Sequence, residues 1–140
     1  MDFSGVHYVA VMLAAAASFI FGGIWYGIFS KQWMAAAGMT MADLKPKDGP
    51  VLAPYISAFF AELIMAFALA ALIVNLVPGM ASLSSGLIVA VLVWAGFVAS
   101  SLVVNHAFQG ANRMLTLIDG GHWLGVLLIQ GAVLGWMGAA

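Results

Sequence analysis

From Val6 to Met137 the chain is four apolar runs separated by three connections, and that division constrains its fold more than any motif. Crossing the hydrocarbon of a bilayer as a helix takes about 20 apolar residues. The runs Val6–Phe29, Leu52–Val77, Gly86–Phe108 and Leu115–Met137 all reach that length. In lipid, backbone N–H and C=O groups must find partners within the segment, and no alternating pattern suggests a barrel, so each run is predicted to be a helix. The expectation is an all-α integral membrane four-helix bundle, a single transmembrane domain over residues 1–140.

The charges agree. Four Lys and Arg and five Asp and Glu make up 6% of 140 residues, too few to clothe a water-soluble core. A formal net charge of −1 provides no basic field for nucleic acid. Cysteine is absent, which excludes disulfides, thiolate metal sites and thiol nucleophiles. The nine methionines read as gap-fillers between helices. The first run lacks a basic leader and is too long for a cleaved signal, so it is expected to stay as a span.

The breaks carry their own signals. Most charges and three of the four prolines fall between Lys31 and Pro54. Pro78-Gly79 closes the second run, and Ser82 to Ser85 can cap the third. The short polar link Gln109–Arg113 makes spans three and four a tight antiparallel hairpin. Lys31, Lys45, Lys47 and Arg113 all lie in the first and third connections. The positive-inside tendency therefore puts those connections in the cytoplasm and both termini on the non-cytoplasmic side. Thr40 and Asp43 have capping-box spacing, which predicts a short helix on the cytoplasmic surface, stopped before Pro46. Trp25 and Trp33 near Lys31, and Trp136 with Tyr8 at the other boundary, are the expected interface anchors.

Small residues recur at helix-packing spacing. Gly23 and Gly27, Gly121 and Gly125, and Gly131 and Gly135 are pairs four apart, and Ala14, Ser18 and Gly22 form a further stripe. Close backbone approach through such faces holds helices together in lipid. With this many faces and four helices, one is expected to serve a homo-oligomer.

The stretch "FGGIWYGIFSKQWMAAAGMTMADLK", a proline-containing linker, an alanine-rich second span and "VWAGFVASSLVVNHAFQG" follow one another along the chain. Together they resemble an uncharacterised bacterial membrane family, domain of unknown function 1761. The likeness is carried by Gly22-x-x-Trp25-Tyr26, by Trp33 and Gly38, by Trp94, Gly96 and Phe97, and by Asn105, Phe108 and Gly110. His122 falls where such proteins tend to carry an aromatic residue or a histidine. The resemblance implies a small four-span bacterial inner-membrane protein with no established activity.

What remains is the polarity inside the hydrocarbon. Glu62 lies well within the second run, where a charged side chain at the helix centre costs about 3 kcal/mol on insertion scales. It is expected to face the bundle interior. On span three, Asn105, Gln109 and Asn112 share one face, and His106, Gln109 and Arg113 an overlapping one; on span four, Asp119 and His122 do. With Tyr26 from span one, these groups are expected to converge on a cytoplasm-facing pocket whose deep member is Glu62.

Three readings follow. The chain is a packing or accessory subunit, of itself or of a larger membrane complex, in a lipid bilayer. Alternatively, Glu62 and His122, with His106, pass protons coupled to a small solute or ion. Or His106, Asp119 and His122, residue types that suit Zn²⁺, hold a metal or cofactor, though their spacing matches no strong motif. No Gly-x-Ser-x-Gly, His-Glu-x-x-His or phosphate-binding glycine loop occurs, and Ser100 and Ser101 lie off the face of His106. No catalytic residue is expected.

Overall fold

The computed structural model describes residues 2–45, 47–49 and 51–138. Among them are four helices long and apolar enough to cross a membrane, and no strand.

The first helix, Tyr8–Ala37, runs about two turns past the predicted end at Phe29. Lys31, Gln32, Met34 and the three alanines after it all favour helix, and no glycine or proline intervenes before Gly38. There the chain turns left-handed (φ 66°). Met39 N–H bonds to the Met34 carbonyl at 3.0 Å and Gly38 N–H to that of Ala35 at 3.4 Å, closing a Schellman motif. At the other end His7 Nδ1 caps the helix by accepting from Ala10 N–H (3.0 Å).

The short surface helix expected after Trp33 is not there. Trp33 belongs to the first helix, and residues 41–44 form turns. Asp43 Oδ2 does accept the Thr40 N–H (2.7 Å) and hydroxyl (2.6 Å), but these bonds close a turn with no helix behind it. The Thr40 hydroxyl, and after it the Thr40 amide, hold the Asp43 carboxyl below its usual range. The stop placed at Pro46 lies outside the described residues.

The second helix, Ala53–Leu76, opens with Pro54 in its first turn, where the missing N–H is not needed. Near its end Asn75 Nδ2 donates to the Ala71 carbonyl (2.8 Å). The same amide also clasps the N-terminal segment, donating to the Asp2 carbonyl (2.9 Å) and accepting from Asp2 N–H (2.8 Å).

The third span, Leu83–Phe108, starts just before the predicted Gly86, from a Ser82–Ser85 capping box. Its middle, Trp94–Ala99, is π-helical, an interruption the sequence reading did not expect. Trp94 Nε1 reaches across to the Gly120 carbonyl (2.9 Å), and Ser100 Oγ bonds back to the Gly96 carbonyl (2.8 Å). Gly110 (φ 64°) then turns the chain into the fourth helix, Arg113–Met137, which is capped by Asn112 Oδ1 on Met114 N–H (2.9 Å).

The fourth helix is the hub. It touches all three others, most extensively the first and the third. Of its most apolar stretch 44% is buried, against 11% for the third span. Pairs such as Trp25 with Ile118 and Ser18 with Gln130 make it antiparallel to the first helix. Tyr8 with Phe67 and Phe19 with Phe59 do the same for the first and second, and Trp94–Gly120 with His106–Thr116 for the third and fourth. Lys31 and Arg113 therefore share one end, called the basic end below.

Five of the seven glycines predicted for packing are used inside the bundle. A side chain on Gly131 or Gly135 would fall onto the backbone of Gly86 or Ser82, so the third and fourth helices meet main chain to main chain. Gly121 and Gly125 receive the rings of Trp25 and Phe21, and Gly22 receives the imidazole of His122. Gly23 and Gly27 have nothing within 4 Å of where a Cβ would sit.

Candidate functional site

Polar side chains inside the bundle fall into three groups along the fourth helix. The deepest joins three helices. Glu62, about 14 Å in from Ala53 at 1.5 Å per residue, is 2% exposed, and Ser18 and Gln130 are fully buried. Ser18 Oγ lies 2.6 Å from Glu62 Oε2 and 3.1 Å from the carbonyl of Ala15. Gln130 uses both its N–H bonds, one on Ser18 Oγ (3.0 Å) and one on the Glu62 backbone carbonyl (3.0 Å). That carbonyl can only accept, which fixes which way the amide points. Gln130 Oε1 has no partner.

The second group is the buried His122. A Cβ on Gly22 would lie 2.9 Å from His122 Nε2 and 3.8 Å from Glu62 Oε1, so only a glycine admits the ring beside the carboxyl. The imidazole sits among aromatic rings, with centroids 4.7 Å from Tyr26, 4.7 Å from Trp123 and 6.3 Å from Phe21, the last nearly parallel. Its Nδ1 is buried without a hydrogen-bond partner.

The third group lies nearer the basic end. Asp119 Oδ1 accepts from Tyr26 Oη (2.7 Å) and Trp33 Nε1 (2.9 Å). Trp25 Nε1 donates to the neighbouring Ile118 carbonyl (3.1 Å). Trp25 and Trp33, expected as interface anchors, therefore serve as interhelical donors. Trp136, at the opposite end, is exposed.

Four of the seven residues predicted for the pocket, Glu62, Tyr26, Asp119 and His122, do lie in succession along this seam. The other three do not join them. His106 Nδ1 pairs with Thr116 Oγ1 (2.9 Å), next to the third connection. Asn105, on the third helix, and Gln109, just past its end, are exposed. The expected metal centre fails on the same geometry. No three His, Asp or Glu side chains among the described residues gather closely enough to hold an ion, because Asp119 turns to the first helix and His106 to Thr116.

Two open surface grooves lie elsewhere. One of about 380 Å³ is an apolar groove between the first and second helices, lined by Tyr8, Val11, Leu63 and Phe67 among others. The other, about 290 Å³, lies between Leu83 and Trp136. From Ser18 toward the termini the core is apolar, with Ala10, Ala14, Leu69, Ile73 and Leu134 buried. The polar seam enters from the basic end and stops at Gln130.

Gln130 and the indoles of Trp25 and Trp94 were missed from sequence, and Ser18 was read only as a small residue. Gln130 had a signal: it stands on the His122 face, two i+4 steps further along. The indoles had none, since their acceptors are backbone carbonyls.

A family model described as "Protein of unknown function (DUF1761)" matches residues 9–135. No curated protein and no solved structure matches the chain.

Proposed function

The chain belongs to the DUF1761 family of proteins of unknown function, and we propose that it acts as a small four-span membrane subunit that assembles with a second copy of itself through the first helix. The observation that carries this is the pair Gly23 and Gly27, left open when the other five packing glycines are filled. Exposed Ile20, Ile24 and Ile28 frame the pair as Ile-x-x-Gly-Ile-x-x-Gly-Ile on the outward face. Glycines four apart let two backbones approach, and β-branched neighbours lose little rotamer freedom on packing. The basic end is the cytoplasmic one in this reading, because Lys31 and Arg113 lie on helices near that end and Lys45 and Lys47 in the connection there. The membrane is the bacterial inner membrane, which rests on the family resemblance.

The absence of cysteine gives a clean test. Ile24→Cys in native membranes is expected to form a disulfide-linked dimer under mild oxidation, and adding Gly23→Leu should abolish it. Val103→Cys, on the exposed face of the third helix, should stay monomeric. Ile24→Cys remaining monomeric, or cross-linking no better than Val103→Cys, would overturn the assembly.

One observation favours a second reading, proton-coupled passage of a small solute or ion. Asp119, Tyr26, His122 and Glu62 line up from the basic end toward mid-bundle. The apolar core beyond Gln130 weighs against it, since passage in this state would need a second half-path.

A further inference from the structure

The hydrogen bonds around Ser18 constrain the state of the acid beside it. A serine hydroxyl has one proton to give and two lone pairs to receive with. Three groups surround Ser18 Oγ: the Ala15 carbonyl, Gln130 Nε2 and Glu62 Oε2. The Ala15 carbonyl only accepts. Gln130 Nε2 only donates, and its orientation is fixed by the Glu62 backbone carbonyl. If Glu62 were a carboxylate, it would compete with Ala15 for the single serine proton, and one serine lone pair would go unused. If Glu62 carries a proton on Oε2, every valence of Ser18 Oγ is filled: it gives to Ala15 and receives from Gln130 and Glu62.

The surroundings point the same way. On the first helix the titratable group nearest this seam is Tyr26. On the fourth, His122 lies beside Glu62, with Asp119 beyond it, already holding Tyr26 and Trp33. The third helix brings Trp94, which is bonded to a backbone carbonyl, and its histidine, His106, is paired with Thr116 next to the third connection. A charged His122–Glu62 pair would leave an imidazolium N–H at Nδ1 buried with no acceptor. Neutral His122 leaves only a lone pair there, the lesser penalty for a buried group.

We infer that Glu62 is a proton-binding site, holding its proton on Oε2 and donating it to Ser18 Oγ, with proton exchange from the basic end alone. The ligand is a hydron. On release it passes toward His122 and the basic-end solvent, and Ser18 then turns its own proton from Ala15 to the carboxylate. The site does not depend on dimer formation.

Glu62 is the only glutamate in the chain, so no variant is needed to see it. Protein grown with carboxyl-labelled [¹³C]glutamate and reconstituted in lipid is expected to give one carbon resonance at the neutral-acid position at pH 7. A carboxylate resonance there would overturn the inference. Ser18→Ala should move that resonance by removing the acceptor, while Tyr26→Phe should leave it nearly unmoved. A Ser18→Ala spectrum identical to the parent's would overturn the placement of the proton. With the protein in sealed vesicles of known orientation, an alkaline jump on the basic side should shift the resonance toward carboxylate. The same jump on the opposite side alone should not, and a response there would overturn one-sided access.

Discussion

The fourth helix is held in two different ways along its length. Toward the basic end, side chains reach across to it: two indoles donate to its carbonyls at Ile118 and Gly120, and a phenol and a third indole donate to Asp119. Toward the termini there is nothing to reach with. Gly131 and Gly135 bring its backbone against Gly86 and Ser82, and the neighbours are mostly alanine and leucine. The first mode is directional, with each bond between helices in lipid worth about 0.6 kcal/mol on average. The second is pure contact, in which atoms on both sides lose their partners together if a gap opens. A helix pinned by direction at one end and by contact at the other keeps its rotation and its depth fixed. The two halves should therefore fail differently when mutated.

The largest effect is expected at the contact end. In Gly131→Leu the first added carbon would overlap the main chain of Gly86, which cannot move aside as a flexible side chain can. The start of the third helix must then shift as a whole. We expect a loss of about 3 kcal/mol or more, read as failure to refold from denaturant in mixed micelles. Near-normal stability would mean that the third and fourth helices do not meet backbone to backbone. In that case the contrast between the two ends disappears.

An intermediate effect is expected at the directional end. Tyr26→Phe removes one donor from Asp119 and leaves Trp33 in place. The expected loss is about 0.6–1.7 kcal/mol by the same unfolding assay, from the average to the largest value typical of interhelical bonds in membranes. Combining it with Trp33→Phe should cost more than the two single changes added together, because Asp119 is then left without a donor among its described partners. Strict additivity would show that the two bonds are made independently and that Asp119 is solvated from outside.

The same contrast explains what could be read in advance. Four spans, their order and the Ser82–Ser85 cap follow from hydrophobic run length and turn chemistry, which are local. That Glu62, His122, Tyr26 and Asp119 face inward is also legible, because lipid rejects such groups and the interior is the alternative. The end of the first helix is not legible because the run of hydrophobicity stops at Phe29 while the helix continues; Lys31 and Gln32 are polar yet strongly helical. The π-helical turn at Trp94 was invisible, since no proline marks it and its stabilising acceptor, the Gly120 carbonyl, lies on another helix. Five packing glycines were distinguished from the two open ones only by which neighbour arrives. Periodicity does not encode that.

The smallest effect should come from the residues that the seam leaves out. Asn105 shares a helix face with Gln109, and pattern alone gave it the same standing as His106. Yet it is exposed on the third helix, the least buried of the four. Near the helix end it meets headgroups and water, where an amide needs no protein partner. Asn105→Ala should therefore change stability by no more than about 0.5 kcal/mol, as surface substitutions do. It should also leave the Ile24→Cys cross-link intact. A larger loss, seen only in lipid and not in monomeric micelles, would show that the third helix also carries a partner. The polar half of the molecule would then extend outward as well as inward, and the first helix would not be the sole assembly face.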